Sequence, residues 1–305
     1  MLFNKGNLVK EKEWLSYVDS VKVGYSKLES NKKRAKEELK SLITKAVEER
    51  SSKKYGILFS GGIDSSLIAL VSKKLKKNFV CYSVGLKNSS DLEAAKKAAK
   101  RFKFKLRAET ISLEELEKIL KKVLKVIKEP DVVKAGVGCV FYKAFLLAKK
   151  DKIKEVFIGL GSEELFAGYQ RHRDMFESKG LEAVHKECLK GLKSMYKRDL
   201  IRDSLIAKDR KMVLRLPFLD DNVIEYAMRI HPKHKIAKNQ SKIIIREVAE
   251  ELGLKEFSWR KKKAAQYGSG FHRGLKRLAR RNGYKYIKDY LGGLSTKSLY
   301  PSSPK

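Results

Sequence analysis

The 305-residue chain carries 70 Lys and Arg against 36 Asp and Glu, a formal net charge of +34, with 42% hydrophobic residues and only 5 Pro. This excludes collagen-like and low-complexity classes and, at roughly 100–200 residues per domain, leaves room for one large or two ordinary domains with a real core. No apolar run approaches the roughly 18 residues of a membrane helix and the opening MLFNKGNLVKEKEW lacks a signal-peptide centre, so a cytoplasmic protein with no membrane partner is expected.

Residues 1–30 carry weak signals, whereas in 31–50 the spacing of Ala35, Leu39, Leu42, Ile43 and Val47 predicts one amphipathic helix. Short apolar runs then alternate with helical stretches. YGILF at 55–59 reads as a strand that ends in Ser60-Gly61-Gly62 and enters a helix with Leu67, Ile68, Val71 and Leu75 on one face. FVCYSV at 79–84 reads as a second strand, followed by a helix capped by Asp91 that runs through Leu92, Ala95, Ala99 and Phe102. A third strand is expected near Leu106 to Ile111 and a fourth in EVFIG at 155–159. Beyond about residue 175 the strand signal disappears, and DNVIEYAMRI at 221–230 and KIIIREVAEELG at 242–253 read as helices.

Strands alternating with helices imply an α/β fold, a parallel twisted sheet with helices on both faces, followed by a mostly helical C-terminal portion. The expected organisation is an N-terminal extension with one helix (1–50), an α/β domain (51–175) and a helical region with a basic tail (176–305). Cys81, Cys139 and Cys188 are far apart, which excludes a disulfide framework and a cysteine-rich metal site. The one close histidine pair, His231 and His234 around Pro232, has no carboxylate or thiolate beside it and is not expected to bind metal.

The positive charge has two readings. Much of it falls on amphipathic segments such as KKLKKN at 73–78, where helical spacing leaves the lysines on a solvated face. The denser run at 259–281, with Phe257, Trp259, Tyr267, Phe271 and Tyr284 interleaved or flanking, is the candidate surface for RNA.

The sharpest local signal is ILFSGGIDSSL at 57–67. A buried strand turning through two glycines into a helix brings successive backbone N–H groups and the positive helix end to one small volume, which suits an anion. Ser60, Ser65 and Ser66 add hydroxyls, while the carboxylate of Asp64 makes sense beside phosphate if Mg2+ lies between them. The G-x-x-x-x-G-K-[ST] loop of the usual nucleoside triphosphatases is absent from the sequence.

This S-G-G-x-D-S turn resembles the pyrophosphate loop of the ATP pyrophosphatase (PP-loop) superfamily, whose fold is adenine nucleotide alpha hydrolase-like. GLGSEELFAGYQRHR at 159–173, RLPFLDDNVIEYAMRIHP at 215–232, SKIIIREVAEELG at 241–253 and WRKKKAAQYGSG at 259–270 resemble, in order, further motifs of the asparagine synthetase C-terminal (synthetase) domain. Their variant forms are most similar to the branch called asparagine synthetase domain-containing protein 1. The resemblance implies an ATP-dependent ligase that adenylates a carboxylate, aspartate by default, and passes it to ammonia. It implies that Ser60, Gly61, Gly62, Asp64 and Ser65 hold the pyrophosphate part of ATP, with Ser66, Gly159 and Gly161 beside it and Val84 and Gly85 against adenine. Asp64 and Glu163 are the implied Mg2+ ligands, and Asp64, Glu163 and Lys262 the implied catalytic residues, with Lys263 a one-residue register alternative.

Glu164, Tyr169, Arg171 and Arg173 are candidates either for organising substrate or the loop or for surface ion pairing, and Leu216 to Leu219 is expected to pack in the core. Two departures stand out. About 50 residues before the loop leave no space for the family's glutaminase domain, so free ammonia or a separate glutaminase subunit is the expected nitrogen source. Leu160 also stands where synthetases carry an acid between two glycines, which removes an expected carboxylate near the adenylate. Two alternatives therefore remain open at this level: an ATP pyrophosphatase that modifies tRNA, and a non-catalytic ATP-binding protein.

Overall fold

The computed structural model describes residues 2–4, 7–260 and 264–299. A small hairpin, β1 (Phe3–Asn4) and β2 (Asn7–Leu8), leads into α1 (Glu11–Ser20) and α2 (Lys32–Glu49). Residues 1–50 thus hold two helices where one was expected. The sequence signal of α1 is thin because only Trp14 and Val18 are buried in it. Its anchoring is tertiary: the Trp14 indole N–H donates to the Leu192 carbonyl at 2.9 Å. The predicted stripe of α2 is real, with Ala35, Leu39, Ile43 and Val47 buried.

The α/β part runs β3 (Tyr55–Leu58), α3 (Ile63–Lys74), β4 (Phe79–Gly85), α4 (Ser90–Phe102), β5 (Leu106–Thr110), α5 (Leu113–Ile127), α6 (Val132–Lys150) and β6 (Glu155–Phe157). β3 and β4 are apolar at nearly every position because both of their faces are covered, the habit of central parallel strands. α4 starts two residues earlier than Asp91 would set it. The Ser89 hydroxyl caps it, accepting from the Leu92 N–H at 3.1 Å, and Asp91 lies buried in its first turn.

After β6 come α7 (Ser162–Leu165) and the long α8 (Gln170–Met195), which passes through a π-helical turn at Tyr196–Leu200 into α9 (Ile201–Arg210). β7 (Val213–Arg215) follows, then α10 (Asp221–Arg229), the hairpin β8 (Ile236–Ala237) and β9 (Gln240–Ser241), and α11 (Ile243–Ala249). The chain closes with α12 (Ala265–Gly268), α13 (Phe271–Arg281) and α14 (Ile287–Leu299). β7 corrects the expectation that strands end before residue 175. It is a three-residue strand with Val213 exposed at the sheet edge, too short and too open to leave an apolar run in the sequence.

The five-stranded sheet has the order β5-β4-β3-β6-β7 with every pairing parallel. The chain winds outward from β3 through β4 to β5, then crosses back to lay β6 on the other side of β3. The strand order therefore reverses between β3 and β6, and the crevice at their carboxyl ends is where open α/β sheets bind ligands. Ile57 of β3 pairs with Phe157 of β6, so the Ser60-Gly61-Gly62 turn and the 158–161 turn rise side by side.

Candidate active site

The two turns are shaped by backbone contacts that only glycine allows. Gly61 has φ +66°, and a Cβ there would lie 2.5 Å from the Ala94 carbonyl carbon in α4. A Cβ on Gly159 would stand 2.7 Å from the Asp64 Cβ, and Gly161, at φ +94°, lies against Leu219, whose Cδ2 would be 2.4 Å from a new Cβ. Leu216 to Leu219 is buried, as expected, and its last residue braces this turn. Gly62 is the N-cap of α3, and the Ser65 hydroxyl closes the loop by donating to the Gly62 carbonyl and accepting from the Ser60 N–H, each at 3.3 Å. The first-turn N–H groups of α3 have no intrahelical partners and supply the positive end of the helix.

Asp64, almost fully buried in that first turn, accepts from the Ser162 hydroxyl at 2.6 Å and from Lys242 Nζ at 2.8 and 3.0 Å. The same ammonium reaches Glu163 Oε1 at 2.9 Å. Residues 64, 162, 163 and 242, from three separate segments, thus meet at one point. The Glu163 carboxylate lies against Gly168, where a Cβ would fall 1.8 Å from its Oε2. Lys242 and Ser162 both lie inside the recognised motifs, yet nothing in their spacing singles them out.

Two carboxylates gathered around one cation are a hard-oxygen donor set that suits Mg2+. Among the described residues no three His, Cys, Asp or Glu side chains cluster as a complete protein cage. Such a pair fits an ion that keeps water and takes phosphate oxygens as its remaining ligands.

A continuous cavity of about 300 Å³ opens from this point. Ser60, Asp64, Ser65, Val84, Gly159, Gly161 and Glu163 line it, whereas Gly61, Gly62, Ser66 and Gly85 do not. Gly85 is closely packed: a Cβ there would lie 2.5 Å from the Ser89 hydroxyl oxygen and 2.9 Å from the Ser269 carbonyl oxygen. Lys262 and Lys263 lie outside the described residues.

The remaining wall combines apolar side chains, Leu160, Val137, Val140 and Phe141, with a buried polar network. Glu164 is fully buried; its Oε1 accepts from the Tyr169 hydroxyl at 2.8 Å and from the Arg198 guanidinium, while Oε2 has no hydrogen-bond partner among the described residues. Burial pushes this carboxyl above the usual range, against the pull of Arg198. Arg171 stacks over the Tyr169 ring at 4.1 Å and also pairs with Glu187 at 3.0 Å, the ion pairing that was one of the two expectations for it. Arg173 does not reach the cavity.

Arg198, Asp199 and Arg202 belong to no sequence motif; the π-helical turn carries the first two to the cavity. Asp199 accepts from Arg198 Nε at 2.7 Å and from Arg202 Nη1 at 3.1 Å, and Arg202 Nε donates to Asp203 at 2.7 Å. Burial pushes the Asp203 carboxyl up to about 6 despite the adjoining guanidinium. Such turns are recurrent at functional sites because they re-aim side chains without ending the helix.

The profile of the asparagine synthase family matches residues 38–180 and 176–286. The chain belongs to the asparagine synthase family. Its relatives include a candidate glutamine-hydrolysing asparagine synthetase of Methanocaldococcus jannaschii, 36% identical over 90% of this chain and 58% of that protein. The glutamine-hydrolysing asparagine synthetase of Homo sapiens is 31% identical over 76% of this chain and 43% of its own length. The chain thus spans about half the length of the curated relatives it matches. A more distant structural likeness, to the NH3-dependent NAD synthetase of Campylobacter jejuni, has 15% identity, 91% coverage of this chain, 99% of that one and a TM-score of 0.39.

Within this family member, the run at 259–281 divides: its aromatics are mostly packed, whereas Arg273, Lys276, Arg277, Arg280 and Arg281 are exposed and 261–263 lie outside the described residues. Phe257 meets the Phe102 ring at 5.2 Å, Phe271 is buried, Trp259 donates to Glu250 at 3.1 Å, and of the five aromatics named only Tyr267 is exposed. Arg260 turns inward and donates to the Gly61 and Ser90 carbonyls at 3.4 and 3.3 Å, bracing the phosphate-type loop. Among the described residues no helix is long and apolar enough to cross a membrane.

Proposed function

We propose that the protein is an ATP-dependent amide ligase that forms AMP and pyrophosphate, with aspartate as the default carboxylate and ammonia, free or delivered by a glutaminase, as the nitrogen donor. The observation that carries this reading is the convergence of the Ser60–Ser65 turn and the 159–164 turn on one cavity that continues to Glu164, Tyr169 and Arg198, with Lys242 bound to Asp64 and Glu163 of its wall.

In this reading the triphosphate lies on the turn and the first-turn N–H groups of α3, with adenine against Val84. An acceptor carboxylate oxygen attacks the α-phosphorus, and the bond to the bridging oxygen breaks to release pyrophosphate. Ammonia then attacks the acyl carbon and AMP leaves, the spare proton passing to solvent or a nearby base. Mg2+ held by Asp64 and Glu163 supplies charge neutralisation at the phosphates when bound. Lys242, the helix end and, by its place in the W-R-x-K pattern, Lys262 offset the charge that grows on the departing oxygens. Tyr169 and Arg198 hold Glu164 in place at the acceptor end. Leu160 contributes no carboxylate, so proton removal from ammonium falls to other groups or to water.

Pyrophosphate and AMP release is measured with ATP, Mg2+ and ammonia, adding aspartate or bulk tRNA. Stimulation by aspartate, abolished by Asp64→Ala in a protein that keeps its fold, is the expected result. Stimulation by tRNA alone would overturn the small-molecule acceptor, and absence of any ATP cleavage would overturn the ligase reading.

A further inference from the structure

The point where the implied metal ligands meet is occupied by a side chain of the protein itself. Lys242 Nζ lies 2.8 Å from Asp64 Oδ1 and 2.9 Å from Glu163 Oε1, and its side chain is only 3% exposed. Its approach is fixed from several directions. The β8–β9 hairpin delivers it, and the Ile243 N–H behind it donates to the Lys235 carbonyl at 3.0 Å. Its backbone is left-handed, at φ +60°; Lys103, Lys128 and Lys211 share that conformation but close helices, whereas Lys242 opens one. Its own carbonyl accepts from the Arg246 N–H at 3.0 Å, and a Cβ on Gly168 would stand 2.4 Å from its Cε. A left-handed non-glycine residue persists only where its surroundings hold it, and here they hold an ammonium between two carboxylates.

We propose that Lys242 is an internal counter-ion that keeps free Mg2+ out of the nucleotide-free site, so that the metal enters only together with the phosphates of the nucleotide. The inference rests on the nucleotide-site reading above and deepens it into a binding order. Without phosphate, the ammonium already neutralises one of the two carboxylate charges and lies within hydrogen-bond distance of both, so an incoming dication must displace it at the cost of burying an unpaired lysine. Once phosphate oxygens arrive, Lys242 has an anionic partner to move to, and Asp64 and Glu163 are released to the metal. The hexahydrated ion alone gives it none. Lys242 thus acts first as a counter-ion that sets the order of binding and then, once moved to phosphate, as one of the cations beside the departing oxygens.

The test uses Mn2+ as a paramagnetic substitute for Mg2+ and reads the free ion by electron paramagnetic resonance, with no turnover involved. Nucleotide-free Lys242→Met is expected to take up Mn2+ at least about tenfold more tightly than the nucleotide-free wild type, since the competing buried ammonium is gone. Equal affinities would overturn the proposal. Because Lys242→Met risks losing the fold, the thermal midpoint of the wild type provides a second reading. It should rise with Mn2+ plus pyrophosphate and stay unchanged with Mn2+ alone. A rise with Mn2+ alone overturns the binding order and leaves the nucleotide site standing. No rise with Mn2+ plus pyrophosphate or ATP overturns the nucleotide site and the inference with it.

Discussion

Substituting Gly61→Ala separates the shape of the phosphate-type loop from its chemistry, since no functional group is removed. Two costs arise. The first is conformational: at φ +66° an alanine pays the left-handed penalty of about 1–2 kcal/mol. The second is steric: the new Cβ would lie 2.5 Å from the Ala94 carbonyl carbon and 2.7 Å from the Ala95 nitrogen. Carbon atoms rest about 3.5 Å apart or more, so roughly 1 Å must be opened against helix backbone, and overpacking of that kind costs about 1–3 kcal/mol. The total expected loss is about 2–5 kcal/mol, with the loop pushed off α4 and ATP-dependent pyrophosphate release falling with it. Gly283→Ala is the matched control, because φ is +81° there and nothing lies within 4 Å. Urea unfolding of both variants isolates the steric share. A Gly61→Ala variant no less stable than Gly283→Ala, or one with unchanged ATP cleavage, would refute the account of the loop.

Other consequences concern the buried polar groups. His172 accepts from the Tyr169 N–H through Nδ1 at 3.1 Å, and burial, helped by the charges of Arg171, Lys235 and Arg198, pulls its imidazole down to about 3. Unfolded chains bind that proton below about 6.5 and the folded one does not, so stability present above pH 6.5 drains away as pH falls towards 3, by roughly 2–4 kcal/mol. His172→Gln, whose amide oxygen can still accept from the helix N-cap, should flatten that part of the stability-versus-pH curve; an unaltered acid slope would refute the assignment. Arg202→Met keeps an unbranched apolar stem but leaves the buried Asp203 without its guanidinium and Asp199 with Arg198 alone, with an expected cost of about 3–5 kcal/mol in chemical unfolding. A loss under about 1 kcal/mol would show that the network is solvent-relaxed.

The sheet was legible where the sequence is locally consistent. β3 and β4 are apolar at nearly every position, their connections are short, and the glycines of the first turn announce a close approach of backbone. The two-residue-deep signal of α1 and the three-residue β7 were not, because each is stabilised by what it packs against rather than by its own pattern. Residue type alone points to Asp91 as the helix cap, while the chain uses Ser89 two positions earlier, where the serine packs against Gly85.

The same division runs through the site. By itself, the sequence determined the strand–turn–helix shape of the first turn, since residues 60–65 form one local segment whose backbone geometry its glycines set. It also determined the family, since five motifs recur in order across residues 57–270. Only the tertiary structure decided which cations meet which acids. Lys242 is 178 residues from Asp64 and Arg198 is 34 from Glu164, and neither pairing leaves a periodic trace. Such contacts depend on where a hairpin and a π-helical turn aim their side chains once the sheet has closed. A buried charge is stable only beside its partner, so the fold, and not the spacing, selects the pairs.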